Sequence, residues 1–308
     1  MSRFRLSTLR VLFAAVAFLC PPAVSAQQHG RESDRPADSM IVSRDWLARH
    51  LHDPSVVLLF ITYPPEDSSY AQGHVPGAQL LDYRDIQTER DGLYTELPAP
   101  DTLRSLFERL GVSDDSRVVL YGPPPQAARA YLTLEYLGHV RTSILDGNLA
   151  SWRADGRPVA SEIPSARRGH LTPHPHPEIV VGADWITSRL GSRGLSLIDT
   201  RTDGEYLGTG GRHGIPSAGH IAGARQLQWE QLFSDPTSGV FLPRDQLAAL
   251  YAARVAPGDT VVTYCWVGQR ASLTYFVARL LGYPARLYDG SYQDWSKRNL
   301  PVRSGSAP

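Results

Sequence analysis

An internal repeat is the feature that most narrows the folds open to this chain. Met40-Ile41-Val42-Ser43-Arg44-Asp45-Trp46 is echoed by Glu178-Ile179-Val180-Val181-Gly182-Ala183-Asp184-Trp185, with an Asp-Trp pair opening a helical segment each time. His74-Val75-Pro76-Gly77-Ala78 returns as His220-Ile221-Ala222-Gly223-Ala224, and Arg117-Val118-Val119-Leu120-Tyr121 as Thr260-Val261-Val262-Thr263-Tyr264. Asp146-Gly147 followed by Trp152 returns as Asp289-Gly290 followed by Trp295. A repeat this long means two copies of one domain, because solenoid units are far shorter. Within each half, short β-prone runs alternate with helical patterns; in the second half the runs are residues 195–200, 261–264 and 285–288. Such alternation predicts an α/β protein of two domains, each a mostly parallel sheet flanked by helices on both faces. The expected division is a first domain over residues 40–160, a linker over 161–177, a second domain over 178–303 and a tail over 304–308.

The linker is rich in Pro, Arg and His and lacks apolar periodicity, so a solvated surface segment is expected. His170, His174 and His176 alternate with Pro173, Pro175 and Pro177 without nearby acidic or Cys partners. They are read as part of that segment, with no metal site expected. Thirty-one basic and thirty-one acidic residues cancel, so no global field favours nucleic acid or an acidic membrane.

At the N-terminus, Arg3, Arg5 and Arg10 precede the apolar run 11–20, then Pro21-Pro22 and Val24-Ser25-Ala26. A positive region, a short apolar region and a small-residue site predict a signal peptide over residues 1–26, followed by a flexible segment over 27–39. The apolar run falls short of the roughly 20 residues that span a bilayer, so no stable membrane insertion is expected. The expected location is the periplasm or the exterior. Cleavage removes Cys20 and leaves Cys265 as a lone thiol where thiols are oxidised, so no disulfide can form within one mature chain.

Cys265 opens the hexapeptide Cys265-Trp266-Val267-Gly268-Gln269-Arg270, after the β-prone run 260–264 and before a helical pattern with Leu273, Phe276, Val277, Leu280 and Leu281 on one face, stopped by Gly282. A thiol on a turn between a strand and a helix N-terminus has backbone N–H groups and the helix dipole near it, which favours the nucleophilic thiolate. A Gly-containing turn is not expected to be a core position. In parallel sheets, ligands sit at the carboxyl ends of strands, where Cys265 falls.

On these residues the chain resembles the rhodanese family, specifically its two-domain sulfurtransferases, over roughly residues 40–303. The resemblance lies in the Cys265–Arg270 loop, in His220-Ile221-Ala222-Gly223-Ala224, and in Leu197-Ile198-Asp199-Thr200-Arg201 leading to Gly204-Glu205-Tyr206-Leu207-Gly208. It implies that the second domain carries the active cysteine and that the first is an inactive copy. The first half agrees. Tyr121 is followed by Gly122-Pro123-Pro124-Pro125, which offers no nucleophile and three residues without N–H groups, and Ile61-Thr62-Tyr63 is aligned with Asp199-Thr200-Arg201. Its expected role is to pack against and shape the active domain.

The implied chemistry is sulfane-sulfur transfer through a persulfide on Cys265, from a small anionic donor such as thiosulfate to a thiophilic acceptor such as cyanide or a thiol. A thiol reductant protein is a further candidate partner; no cofactor, metal or nucleic acid is implied, and a monomer is expected. The N–H groups of Trp266, Val267, Gly268, Gln269 and Arg270 are expected to hold the anionic donor. Arg201 is expected to fork onto the donor's oxygens. For Arg270 two roles stay open: positive potential, or stabilising the loop through Asp199. Asp199 is read as structural, Trp266 as rimming the pocket, and His220 as part of a structural turn. Val267 stands where thiosulfate enzymes often carry a basic residue, and Trp266-Val267 also departs from the mercaptopyruvate branch. Thiosulfate is favoured on the charge of Arg201 and Arg270, with 3-mercaptopyruvate or a sulfur-carrier role as alternatives. Phosphatases of this fold use a Cys-x5-Arg loop, one residue longer than the loop here.

Overall fold

The computed structural model describes residues 40–63, 69–212 and 218–308. The expected signal peptide and flexible segment, with Cys20, fall in residues 1–39 and lie outside the described residues. The first half contains strands β1 (Ile41–Val42), β2 (Val56–Thr62), β3 (Gln79–Asp82), β4 (Thr88–Arg90), β5 (Leu93–Glu96), β6 (Arg117–Tyr121) and β7 (Thr142–Leu145). Its helices are α1 (Arg44–His50), α2 (Ser69–Gln72), α3 (Pro100–Arg109), α4 (Pro124–Tyr136) and α5 (Leu149–Ala154). Five strands make a parallel sheet in the order β1-β7-β6-β2-β3, and β4 with β5 forms a separate antiparallel hairpin.

In the second half, strands β8 (Val180–Val181), β9 (Leu195–Asp199), β10 (His220–Ile221), β11 (Ala224–Gln226), β12 (Phe233–Asp235), β13 (Val240–Phe241), β14 (Thr260–Tyr264), β15 (Ala285–Tyr288) and β16 (Val302–Arg303) alternate with helices α6 (Ala183–Thr187), α7 (Asp203–Leu207), α8 (Arg244–Ala252), α9 (Ala271–Leu280) and α10 (Ser291–Lys297). The parallel sheet runs β8-β15-β14-β9-β11, the order of the first half, and β12–β13 is again a hairpin. The central strands β6 and β14 read as nearly unbroken apolar or β-branched runs because helices cover both faces of each sheet.

The repeat extends to individual hydrogen bonds. The Tyr121 and Tyr264 hydroxyls accept from Val75 N–H at 3.0 Å and Ile221 N–H at 3.1 Å. His74 stacks on Tyr70 at 3.9 Å between ring centres, as His220 stacks on Tyr206 at 3.8 Å. One alignment changes. Phe60 lies opposite Tyr121 in the first sheet as Asp199 lies opposite Tyr264 in the second, so Phe60, not Ile61, is the counterpart of Asp199. The Phe60 ring stacks on Tyr121 at 4.8 Å, an apolar contact where the second domain has a hydrogen bond from Tyr264 Oη to Asp199 at 2.7 Å.

The domains are joined through α4 and α9. Sequence periodicity gives α9 one apolar face, but nearly all of its residues are buried, because α4 covers what would otherwise be its outer side. Tyr131 meets Phe276 edge-on at 4.8 Å, and Glu135 accepts from Tyr275 Oη at 3.0 Å and pairs with Arg279 at 3.0 Å. One apolar cluster contains Leu120 and Tyr131 from the first domain together with Val261, Cys265 and Phe276 from the second. The two domains therefore share a core and are not independent beads.

Each domain also lends its hairpin to the other. Phe241 N–H donates to Asp146 at 3.0 Å, and Leu97 N–H donates to Asp289 at 3.0 Å. The connecting segment is strapped to the first domain instead of running free in solvent. Gly169 N–H donates to Glu108 O at 2.8 Å, Thr172 N–H to Asp114 at 2.7 Å and His174 N–H to Leu137 O at 2.9 Å, while Leu171 is buried. His176 does have an acidic neighbour: it pairs with Glu178 at 2.9 Å.

Candidate active site

Cys265 follows the last residue of β14, and Arg270 caps the start of α9, so the hexapeptide is the turn from the central strand into the interdomain helix. Every carbonyl of this turn has a donor. Tyr292 and Gln293 N–H, in the first turn of α10, donate to Cys265 O and Trp266 O at 3.0 Å each. Thr95 Oγ1, from the first domain's hairpin, donates to Val267 O. Ser272 donates to Gly268 O from its hydroxyl at 2.9 Å and shares its N–H between Gly268 O and Gln269 O at 3.2 Å, and Leu273 N–H reaches Arg270 O at 3.1 Å. The N–H groups of residues 266–270 have no acceptor among the described residues. Because a trans peptide places C=O and the following N–H on opposite sides, tying the carbonyls outward leaves a run of inward N–H groups, a nest for an anion. Cys265's own N–H is taken by Ser291 Oγ at 3.2 Å.

The thiol lies deeper than the sequence suggests. Cys265 is 0% exposed and belongs to the shared core, which corrects the expectation that this turn is not a core position. The outer wall is made by the residues after it. Trp266, Val267 and Gln269 face a cavity of about 810 Å³, closed on its other side by Tyr63, Arg84, Tyr94 and Thr95 of the first domain. The first domain thus supplies half of the cavity wall. Gly268 has φ +81°, and a Cβ there would lie 2.7 Å from Asp289 Oδ1, so the turn needs glycine.

Arg270 is the cation at the thiol. Burial opposes its charge, yet the Cys265 sulfur, to which it is hydrogen-bonded, and the Glu205 carboxylate hold it above the ordinary arginine range. Its partner is Glu205, not Asp199: Nη1 and Nη2 reach the two Glu205 oxygens at 3.0 and 3.1 Å. Glu205 also accepts from Trp266 Nε1 and from Thr202 N–H at 2.7 Å. Burial pushes the Glu205 carboxyl up, but Arg270 and Thr202 outweigh it and bring it down to about 2. The sequence reading did not place Glu205 at the site. Thr202-x-x-Glu205 is a capping-box pattern on α7, and that signal would have fixed its orientation.

Arg201 is not on the pocket wall, which corrects its expected role. It is 0% exposed, with Nε on Asp199 at 3.0 Å and Nη2 on Asp199 at 2.7 Å and Gly219 O at 2.7 Å. Its guanidinium carbon lies 4.0 Å from the Tyr292 ring centre and 5.3 Å from that of Trp266. Two residues past the end of β9, the chain turns the side chain back onto its own Asp199, and the pair becomes a pillar beneath the loop. Asp199 also accepts from Tyr264 Oη at 2.7 Å. Trp266, 2% exposed, packs edge-on against Tyr292 at 5.0 Å and presents only its margin to the cavity. His220 has both ring nitrogens against carbonyls, Tyr206 O at 2.9 Å and Ala307 O at 2.9 Å, so neither is left to act as a base. In the first domain the equivalent turn has Gly122 for Cys265 and Ala127 for Arg270, with prolines between.

The Rhodanese-like domain family matches this chain twice, over residues 43–155 and 182–298. The chain belongs to the rhodanese family. This tandem rhodanese is 33% identical over 285 residues to the sulfur carrier protein TtuD of Thermus thermophilus, covering 86% of this chain and 97% of that one. It is 31% identical to a thiosulfate sulfurtransferase of Pseudomonas aeruginosa, covering 88% and 98% of the two chains. A protein of the same organism named "Probable 3-mercaptopyruvate sulfurtransferase" is 34% identical, with 87% and 99% covered. Among solved structures, SseA from Escherichia coli, titled as a 3-mercaptopyruvate sulfotransferase, superimposes with a TM-score of 0.72 at 25% identity, over 82% of this chain and 98% of that one. The tandem rhodanese is a sulfurtransferase by family, and only its second domain carries a cysteine on the turn after the central strand.

Proposed function

We propose that this rhodanese moves sulfane sulfur from thiosulfate, through a persulfide on Cys265, to a thiophilic acceptor. The thiolate attacks the outer sulfur of thiosulfate, a new S–S bond forms, and the bond to the sulfonate sulfur breaks, its electron pair leaving with sulfite. Cyanide carbon or a thiolate then attacks the outer sulfur, and the pair of the breaking S–S bond returns to Cys265. No cofactor, proton or oxidant enters either step. The observation that carries this reading is the turn itself: outward-tied carbonyls, five N–H groups without an acceptor among the described residues, and Arg270 on the sulfur. That array suits an anionic donor and a persulfide anion. With Arg201 withdrawn into the core, the preference for thiosulfate over 3-mercaptopyruvate rests on Arg270, supported by Arg84 and Arg212 along the cavity, which also holds Glu89. The pattern of Arg3, Arg5 and Arg10 before residues 11–26 supports action after export, which sequencing the N-terminus of the protein from cell fractions tests.

Intact-mass measurement after exposure to thiosulfate tests the chemistry: a gain of one sulfur atom that is absent in Cys265→Ala, with thiocyanate formed on adding cyanide. Faster loading from 3-mercaptopyruvate would reassign the donor. A persulfide that cyanide cannot discharge would make the protein a carrier, a reading that its similarity to TtuD supports. Hydrolysis of an aryl phosphate without sulfur uptake would overturn sulfur transfer altogether.

A further inference from the structure

The hairpin β4–β5 contains an irregularity that points at the thiol loop. Arg90 pairs with Leu93 and Thr88 with Glu96, so Tyr94 and Thr95 together oppose the single residue Glu89. This is a β-bulge, a device that re-aims one side chain out of a ladder. Thr95 sits in it at φ +64°, a left-handed conformation that β-branched residues rarely adopt. Such strain persists only where the surroundings over-determine it. Here they do. Thr95 O accepts from Arg129 Nη2, and fully buried Arg129 is anchored on Asp289 at 3.2 Å; Asp289 in turn receives Leu97 N–H and abuts Gly268. Held at both ends, Thr95 directs its hydroxyl to Val267 O.

Five of the six carbonyls of the turn are tied by α9 and α10 of their own domain; Val267 O is the one tied from the first domain. The Val267–Gly268 peptide is planar, so its carbonyl and the Gly268 N–H point in opposite directions. We propose that Thr95 is a positioning residue for sulfur transfer: it pins the Val267–Gly268 peptide so that Gly268 N–H faces into the anion nest of Cys265. The first domain then does more than buttress the second, because it sets one donor of the active turn. This deepens the sulfurtransferase reading and rests on it for its purpose, but the peptide orientation can be tested without it.

Three variants separate the hydroxyl from the backbone. Thr95→Val keeps the shape and loses the hydroxyl; Thr95→Gly loses it while fitting the positive φ; Thr95→Ser keeps it. The readouts are the rate of Cys265 alkylation by iodoacetamide, the rate of sulfur uptake from thiosulfate, and the Gly268 amide resonance in protein labelled with 15N-glycine. Val and Gly are expected to slow both rates by about tenfold, the worth of one net hydrogen bond, and to move the Gly268 resonance, with Ser within about twofold of the parent on both rates. If Thr95→Gly matches the parent in rates and resonance, or if all variants simply follow their melting temperatures, the proposal is wrong. If the parent takes up no sulfur while the alkylation and resonance differences persist, sulfur transfer fails and the role of Thr95 in orienting the peptide stands.

Discussion

Replacing Glu205 with glutamine removes one negative charge and one acceptor oxygen from the site. Glutamine keeps one oxygen, so Trp266 Nε1 on Oε1 or Thr202 on Oε2 loses its acceptor, and Arg270 loses a carboxylate that it meets at 3.0 and 3.1 Å. The Glu205 carboxyl stands at about 2 against an ordinary 4.5, which corresponds to roughly 3 kcal/mol of favourable coupling at neutral pH. Both side chains are largely buried, 7% and 12% exposed, so solvent screening removes little of it. Arg270 keeps the Cys265 sulfur as a partner, which brings the expected loss to about 2 kcal/mol. For a chain of this size that is a fall in melting temperature of roughly 3–4 °C. The sign with pH follows from the depressed carboxyl. Its contribution is full above pH 4.5, where an unfolded glutamate is ionised, and is lost as pH falls through about 2. Melting curves of parent and Glu205→Gln should differ most near pH 7 and converge as the pH drops from 4.5 towards 2. A gap that is absent at pH 7, or that is the same at every pH, would refute the assignment of Glu205 as the ionised anchor of Arg270.

Further outcomes follow from the same geometry. Arg201→Met should leave Asp199 buried without its cation and lower stability by about 3 kcal/mol or more, with the KM for thiosulfate unchanged in the folded fraction; a selective rise in KM would restore a donor-binding role. Gly268→Ala forces a side chain into a left-handed position against Asp289 Oδ1 at 2.7 Å and Asp289 O at 2.8 Å. It should cost about 2 kcal/mol or more in denaturant titrations and abolish sulfur loading. Asp289→Asn weakens the hold on fully buried Arg129 and should destabilise by about 2–4 kcal/mol, seen as an earlier unfolding midpoint.

The central strands were legible because their signals are local: 195–199, 260–264 and 285–288 are the second sheet's central runs, bounded by turn residues. The Cys265 turn was legible for the same reason. What stayed hidden depends on partners far along the chain. Periodicity shows one apolar face on α9 because its other buried residues include Ser272, Thr274 and Tyr275, whose polar atoms are satisfied by Gly268 O, Thr200 and Glu135. Arg201 reads as an available cation because nothing in its neighbours says which way a residue just past a strand end will turn. The one-residue slip that paired Ile61 with Asp199 arose where an aromatic stack replaces a hydrogen bond, leaving no shared chemistry to align on. Thr95 had no signal at all, since its importance lies in a backbone angle.

The reciprocal hairpins, Leu97 on Asp289 and Phe241 on Asp146, join the halves as two copies of a symmetric dimer would be joined, each patch meeting its counterpart. In a dimer of identical chains, any substitution strikes both joints at once. Here the two joints carry separate codons. The half without the thiol is held at two places: a Cβ at Gly122 would lie 2.3 Å from Ile61 O of its own sheet, and its hairpin is bound to its neighbour. The first domain should therefore be strict for two separate reasons: at the Gly122 turn through its own backbone, and at the arm that reaches across through its neighbour's side chains.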